Sequence, residues 1–207
     1  MQSGDCGRRA LGWLASRGVD PIALRCELDL VAWDARALEG RALALWLEPR
    51  PWTGYTLTHD DGRRFAWIED PRSCDYAPEA VTASSVLAMG REHLASRRYV
   101  VLDRPSGAEL VSIVPWRMRR GADLEPVFGE RLRLKAPMLV EYWRVRDDRR
   151  SVVLRLSSQP KEAARLWLEG GRHGALVLTM VLAIIYTVLT LDALMSLGRS
   201  TGGPSGG

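Results

Sequence analysis

From Ala175 to Leu191 the chain runs for 17 residues without a charge. The stretch around it, "ALVLTMVLAIIYTVLTLDALMSL" (175–197), constrains the fold more than any other feature. As a helix from Gly174 to Leu197 it would extend about 36 Å at 1.5 Å per residue. That length reaches the roughly 20 residues needed to cross a hydrocarbon layer. Arg165, Arg172 and His173 precede the run and Arg199 follows it, an asymmetry that would keep the N-terminal bulk in the cytoplasm. The rival reading is a helix that is apolar all round because protein encloses it. Ala175, Leu182, Ile185, Leu189 and Asp192 mark this helix, and a small or polar stripe, Thr179, Ala183, Thr187 and Thr190, suits packing against a wall or a second helix. Asp192 comes late enough to reach a membrane interface in one reading or a barrel mouth in the other. Taken alone, the residues leave both readings open.

The rest of the chain decides what sort of body adjoins that helix. Its 207 residues suit one sizeable domain, and 46% hydrophobic against 26% charged residues permits a buried core. A net charge of +4, dispersed along the chain, does not argue for nucleic acid. Cys6, Cys26 and Cys74 form no C-x-x-C pair and cannot all pair internally, which favours a reducing compartment over a disulfide framework or a structural zinc site. The N-terminus lacks an apolar run of secretory-signal length. Eight tryptophans recur beside strand-like segments and suit a half-buried sheet or a barrel wall.

Alternation of apolar residues predicts strands in "IALRCELDLVAW" (Leu24, Cys26, Leu28, Leu30) and in "RALALWLE" (Leu43, Leu45, Leu47). "YTLTHDDGRRFAWIEDP" reads as a hairpin turning at Asp61-Gly62. "YVVLDRPSGAELVSIVP" repeats the design around Ser106-Gly107, and "YWRVRDDRRSVVLRLSS" repeats it around Asp147-Asp148. Three such units spaced by roughly 45 residues predict an architecture of repeated hairpins. Between the first two, "PEAVTASSVLAMGREHLAS" reads as a short outer helix, with Pro78 at its first position and Val81, Ser85, Val86 and Met89 near one face. "PKEAARLWLEGG" is compatible with a helix or a last strand. The expected division is an N-terminal segment (1–21), a β-rich cytoplasmic domain (22–173), the hydrophobic helix (174–198) and a disordered Gly/Ser-rich tail (199–207).

Repeated hairpins followed by one terminal apolar helix resemble the tubby C-terminal-like superfamily, which includes phospholipid scramblases and LURP-one-related proteins. The resemblance is carried by "YTLTHDDGRRFAWIED", "RRYVVLDRPSGAELVSIVPWRMR", "WRVRDDRRSVVLRLSS" and "AIIYTVLTLDALMS", and it covers positions 22 to 198. It implies a closed antiparallel barrel of about twelve strands around a central hydrophobic helix, where the residues alone count nine or ten strands. The segment 78–96, read as a helix, would be an insertion in such a barrel. In animal scramblases an acidic calcium-binding segment precedes the helix. Here "LEGGRHG" offers one carboxylate, Glu169, so calcium-triggered scrambling is not implied.

Chemistry-bearing motifs are few. His59, His93 and His173 stand apart and read as surface or capping residues, while Asp60-Asp61 and Asp147-Asp148 fall at turns that favour aspartate. No nucleophile elbow, zinc-protease, phosphate-loop or dinucleotide motif is present. No catalytic constellation, metal site or cofactor is expected. "VPWRMRRG" combines arginine with tryptophan, a pairing suited to lipid headgroups, with Trp116, Arg117, Arg119 and Arg120 as the candidates. The expected class is mainly β (α+β), an antiparallel barrel of repeated hairpins with one C-terminal helix either central to the barrel or transmembrane. The expected function is a membrane-associated, non-enzymatic protein that binds or perturbs membrane lipid. The alternative is a tail-anchored protein whose cytoplasmic domain serves a protein partner as adaptor or assembly factor.

Overall fold

The computed structural model describes residues 21–34, 42–48, 54–70, 77–93, 95–117, 121–136, 142–157, 163–168 and 177–200. In chain order these form α1 (Pro21–Leu28), β1 (Ala42–Glu48), β2 (Gly54–His59), β3 (Arg64–Glu69), β4 (Glu79–Thr82), β5 (Val86–Arg91) and β6 (Tyr99–Asp103). There follow β7 (Glu109–Pro115), β8 (Gly121–Pro126), β9 (Leu132–Lys135), β10 (Tyr142–Arg146), β11 (Val152–Ser157), β12 (Ala163–Leu168) and α2 (Leu178–Ser200). The twelve strands pair antiparallel with their sequence neighbours, and β12 returns to β1 to close a barrel. Closure leaves no sheet edge, so no row of backbone donors and acceptors is left unpaired. The protein is thus mainly β with a single C-terminal helix, as the alternation and turn signals predict.

Helix α2 fills the lumen. Every residue from Met180 to Leu189 is buried, whichever way it points. These residues share one apolar cluster with Leu57, Ile68, Met89, Ile113, Leu134 and Trp143 of the wall. Among the described residues no helix is long and apolar enough to cross a membrane. The barrel wall encloses residues 180–189, so in this structure the helix is the lumen helix of the two readings. Eight of the enclosed side chains are large and apolar, which corresponds to gross burial on the order of 10–20 kcal/mol. Thr187, of the small-residue stripe, donates its hydroxyl to the Ala183 carbonyl at 2.6 Å, so its polar group is satisfied inside the helix. Leu182, Ile185 and Leu189 are core residues. Asp192 belongs to α2, but its side chain, like Ala175 and positions 201–207 of the tail, lies outside the described residues.

Two segments depart from their predicted type. Pro21–Leu28 is a helix and not a strand. Leu24 and Leu28 fit both periods, since a spacing of four serves a helix face as well as a strand face. Leu24 packs on Trp67 and Val81 outside the barrel, Leu28 and Leu30 join it, and Cys26 is exposed. The predicted helix at 78–96 is the hairpin β4–β5, an integral part of the wall. All four residues of β4 and the first four of β5 are buried. A strand covered on both faces loses the alternation that would reveal it. Its turn is built by Thr82, whose hydroxyl accepts the N–H of Ser85 at 2.9 Å. The three predicted hairpins are β2–β3, β6–β7 and β10–β11. "PKEAARLWLEGG" supplies β12. Since directions alternate, the turns after β2, β4, β6, β8 and β10 lie at one end of the barrel. The connections after β3, β5, β7, β9 and β11 lie at the other.

Candidate anion-binding face

Buried Leu132 and Leu134 of β9, Trp143 and Val145 of β10, and Leu154 and Leu156 of β11 point to the helix. The pleat therefore turns the residues between them outward: Arg133 and Lys135, Arg144 and Arg146, and Arg155. Register places these cations side by side. Lys135 is opposite Arg144, Arg144 is opposite Arg155, and Arg133 is opposite Arg146. Neighbouring strands lie about 4.8 Å apart, so the row Lys135–Arg144–Arg155 spans only about 10 Å of sheet. Like charges directly opposite each other oppose sheet pairing. Among the described residues no carboxylate lies within ion-pair distance of Lys135, Arg144 or Arg146. The row ends in apolar cover, with Trp167 opposite Arg155 and its ring edge-to-face with Tyr142 at 5.4 Å.

On the other flank the row meets Trp116. This residue follows β7, its backbone N–H donates to the Gly121 carbonyl at 3.0 Å, and its indole N–H donates to Asp123 Oδ2 at 3.0 Å. The ring lies flat on Gly121, where a β-carbon would come within 2.6 Å of it. Gly121 is in turn opposite Lys135. Trp116 is therefore half-buried on the outer wall, next to the cation row. Arg117 is exposed beside it, whereas Arg119 and Arg120 lie outside the described residues. The acidic residue on this flank, Asp123, is engaged by Trp116, by Arg131 at 3.2 Å and by Arg133 at 3.7 Å. Of the predicted headgroup residues the structure thus brings Trp116 and Arg117 to a larger cationic face. The other members, Lys135, Arg144 and Arg155, escape a reading of the sequence because register is not written in it. Their signal is the alternation of cations with apolar residues in "RLRLK", "YWRVR" and "VVLRLS".

Other groups are accounted for locally. Asp61 and Asp147 accept backbone N–H groups within their turns, from Arg63 at 3.0 Å and Ser151 at 2.7 Å, as predicted for turn aspartates. The Arg63 N–H, helped by His59 and the Arg63 guanidinium, holds the Asp61 carboxyl down at about 2. His59 is buried and His93 is exposed. A shallow apolar cleft, with a cavity volume of only about 10 Å³ and partly open to solvent, is lined by Tyr99, Ile113, Pro115, Tyr186, Thr187, Thr190 and Leu191. The Arg91 guanidinium lies over the Tyr99 ring, 5.6 Å from its centre. Among the described residues no three His, Cys, Asp or Glu side chains gather in a metal-binding group.

No family model matches the chain, and no curated protein matches it. Among solved structures it is similar to an X-ray structure of a protein from Arabidopsis thaliana, with 13% identity, a TM-score of 0.48, and coverage of 80% of this chain and 98% of that one.

Proposed function

We propose that this protein is a non-enzymatic barrel of the tubby-like, scramblase and LURP-one type. In this reading it docks on anionic membrane lipid through the outer face of β8–β11. One observation carries the reading: Lys135, Arg144 and Arg155 stand opposite one another across three strands, beside Trp116 and Arg117. Lys135 and Arg144, directly opposite each other and without a carboxylate among the described residues, cost pairing energy that an anion on this face would recover. Arginine guanidinium groups take phosphate oxygens in pairs, and each cation at an anionic leaflet contributes about 1 kcal/mol. Trp116, apolar ring outward of the strand and indole N–H satisfied, suits the headgroup layer. The tail-anchored alternative requires the apolar helix in a bilayer, whereas here that helix lies within the barrel.

The test is co-sedimentation with phosphatidylcholine vesicles, with and without phosphatidylserine. Binding is expected to require the anionic lipid, to weaken steeply with salt, and to fall by about tenfold or more in the double variant Lys135→Glu/Arg144→Glu, since two contributions of that size are each lost and reversed. Equal binding to both vesicle types, or an unaffected double variant, would remove the face from lipid recognition. Tighter binding to duplex DNA than to the vesicles would reassign it to nucleic acid.

A further inference from the structure

The hairpin that supplies Lys135 ends in a turn of a different kind. Between β8 and β9 the chain reads "VFGERL", and at its tip Phe128 is 90% exposed and Val127 52%. A large aromatic held in water is costly, yet the tip is not slack. The Val127 N–H donates to the Leu110 carbonyl at 3.0 Å, which ties the turn to β7. Gly129 takes φ +113°, a conformation closed to other side chains at low cost, and so fixes the direction in which Phe128 projects. Of the carboxylates near the tip, Asp123 and Glu125 are engaged by Arg131 Nη2 at 3.2 Å and 3.0 Å, while Glu130, two residues from Phe128, is exposed. The tip therefore presents an apolar end on a hairpin whose outer side carries Arg133 and Lys135.

We propose that Val127 and Phe128 form a hydrophobic anchor that inserts into the interface of the same bilayer whose headgroups occupy the cationic face. The inference rests on the proposed lipid-binding reading and extends it to the apolar layer beneath the phosphates. Two side chains are far too few for a protein interface, which needs about 800 Å² from each partner. A bilayer accepts a single aromatic side chain at its interface. The β8–β9 hairpin joins the two chemistries. Between Phe128 and Lys135 lie the turn residues 129–131 and Leu132, Arg133 and Leu134 of β9, roughly 20 Å of chain, so a membrane lying along this side of the barrel meets both.

The experiment uses the full chain in two forms. Phe128→Ser is measured by co-sedimentation with phosphatidylcholine–phosphatidylserine vesicles. Its melting temperature should stay unchanged, because the side chain is exposed, while partitioning falls about tenfold, the loss expected from one aromatic no longer buried. A second form carries Phe128→Cys with Cys6, Cys26 and Cys74 replaced by serine, and an environment-sensitive dye on the new thiol. Its emission should shift to the blue on the mixed vesicles. Anionic binding that survives Phe128→Ser, with an unshifted dye, would overturn the anchor and leave the cationic face standing. A dye shift on pure phosphatidylcholine that persists in Lys135→Glu/Arg144→Glu would support the anchor and remove the face. A blue shift that follows protein concentration without vesicles would overturn the anchor in favour of self-association.

Discussion

Glu79 shows how a single side chain ties the outer wall to pH. It is buried at the start of β4, with Arg104 Nε 2.7 Å away, and its backbone N–H donates to Glu69 Oε2 at 3.3 Å. Burial raises its pKa from 4.5 to about 7 and outweighs the attraction of Arg104, which lowers it. A carboxyl whose pKa is higher in the fold than in the unfolded chain stabilises the fold fully below about 4.5, and that stabilisation is lost as pH rises through about 7. Wild type is therefore expected to lose roughly 3 kcal/mol relative to Glu79→Gln between those limits, readable by urea unfolding at pH 4.5 and pH 8. Parallel curves for the two proteins would show that Glu79 titrates normally. Gly121 offers a second residue-scale test. In Gly121→Ala the new β-carbon meets the Leu134 carbonyl oxygen at 2.5 Å and the Trp116 ring at 2.6 Å. Loss of about 1–3 kcal/mol and a change in tryptophan emission are expected as the ring is displaced. An alanine variant with wild-type stability would show that the indole does not rest on this position.

Among the elements, β9, β10 and β11 give up pairing energy for charge. Arg144 stands between Lys135 and Arg155, so Arg144→Glu exchanges a repulsive neighbour for an attractive one. In the absence of lipid this variant should be more stable by about 0.5–1 kcal/mol, while vesicle binding weakens. The opposed signs matter, since a residue placed for the fold alone would lose stability when reversed. A lower melting temperature for Arg144→Glu would contradict the row as drawn. The cations alternating with Leu and Val in these strands are plain in the sequence, and so is the face on which they lie. Which cation meets which across the sheet depends on the hairpin turns, including a register shift between Val145 and Arg146. No single strand carries that information. Strand type was illegible in β4, buried on both faces and without an Asp-Gly turn to mark its hairpin. The equally buried β2 and β3 were legible from their turn at Asp61-Gly62.

At the scale of the molecule, wall and helix need each other. A twelve-strand cylinder without α2 would enclose water against Leu57, Ile68, Ile113 and Leu134. The gross burial that α2 supplies, on the order of 10–20 kcal/mol, is comparable to the whole net stability of a typical domain, about 5–15 kcal/mol. Removing residues 174–207 should therefore abolish the near-ultraviolet circular dichroism of the wall tryptophans, Trp143 among them, and leave a chain that binds hydrophobic dyes. A sharp native spectrum from residues 1–173 would mean that the barrel closes on some other core.

By itself the sequence determined that the middle of the apolar run 175–191 must be shielded from water, as residues 180–189 are, and that hairpins must turn at Asp61-Gly62, Ser106-Gly107 and Asp147-Asp148. It did so because apolar content and turn chemistry are properties of a residue and its nearest neighbours. Only the tertiary structure decided that the shield is a ring of strands, that Pro21–Leu28 lies as a helix against Trp67 and Val81, and that Lys135, Arg144 and Arg155 form one row. An apolar side chain records its aversion to water with equal force whether lipid or protein supplies the relief. The choice between them, like the register of the charges, arises only when distant segments meet.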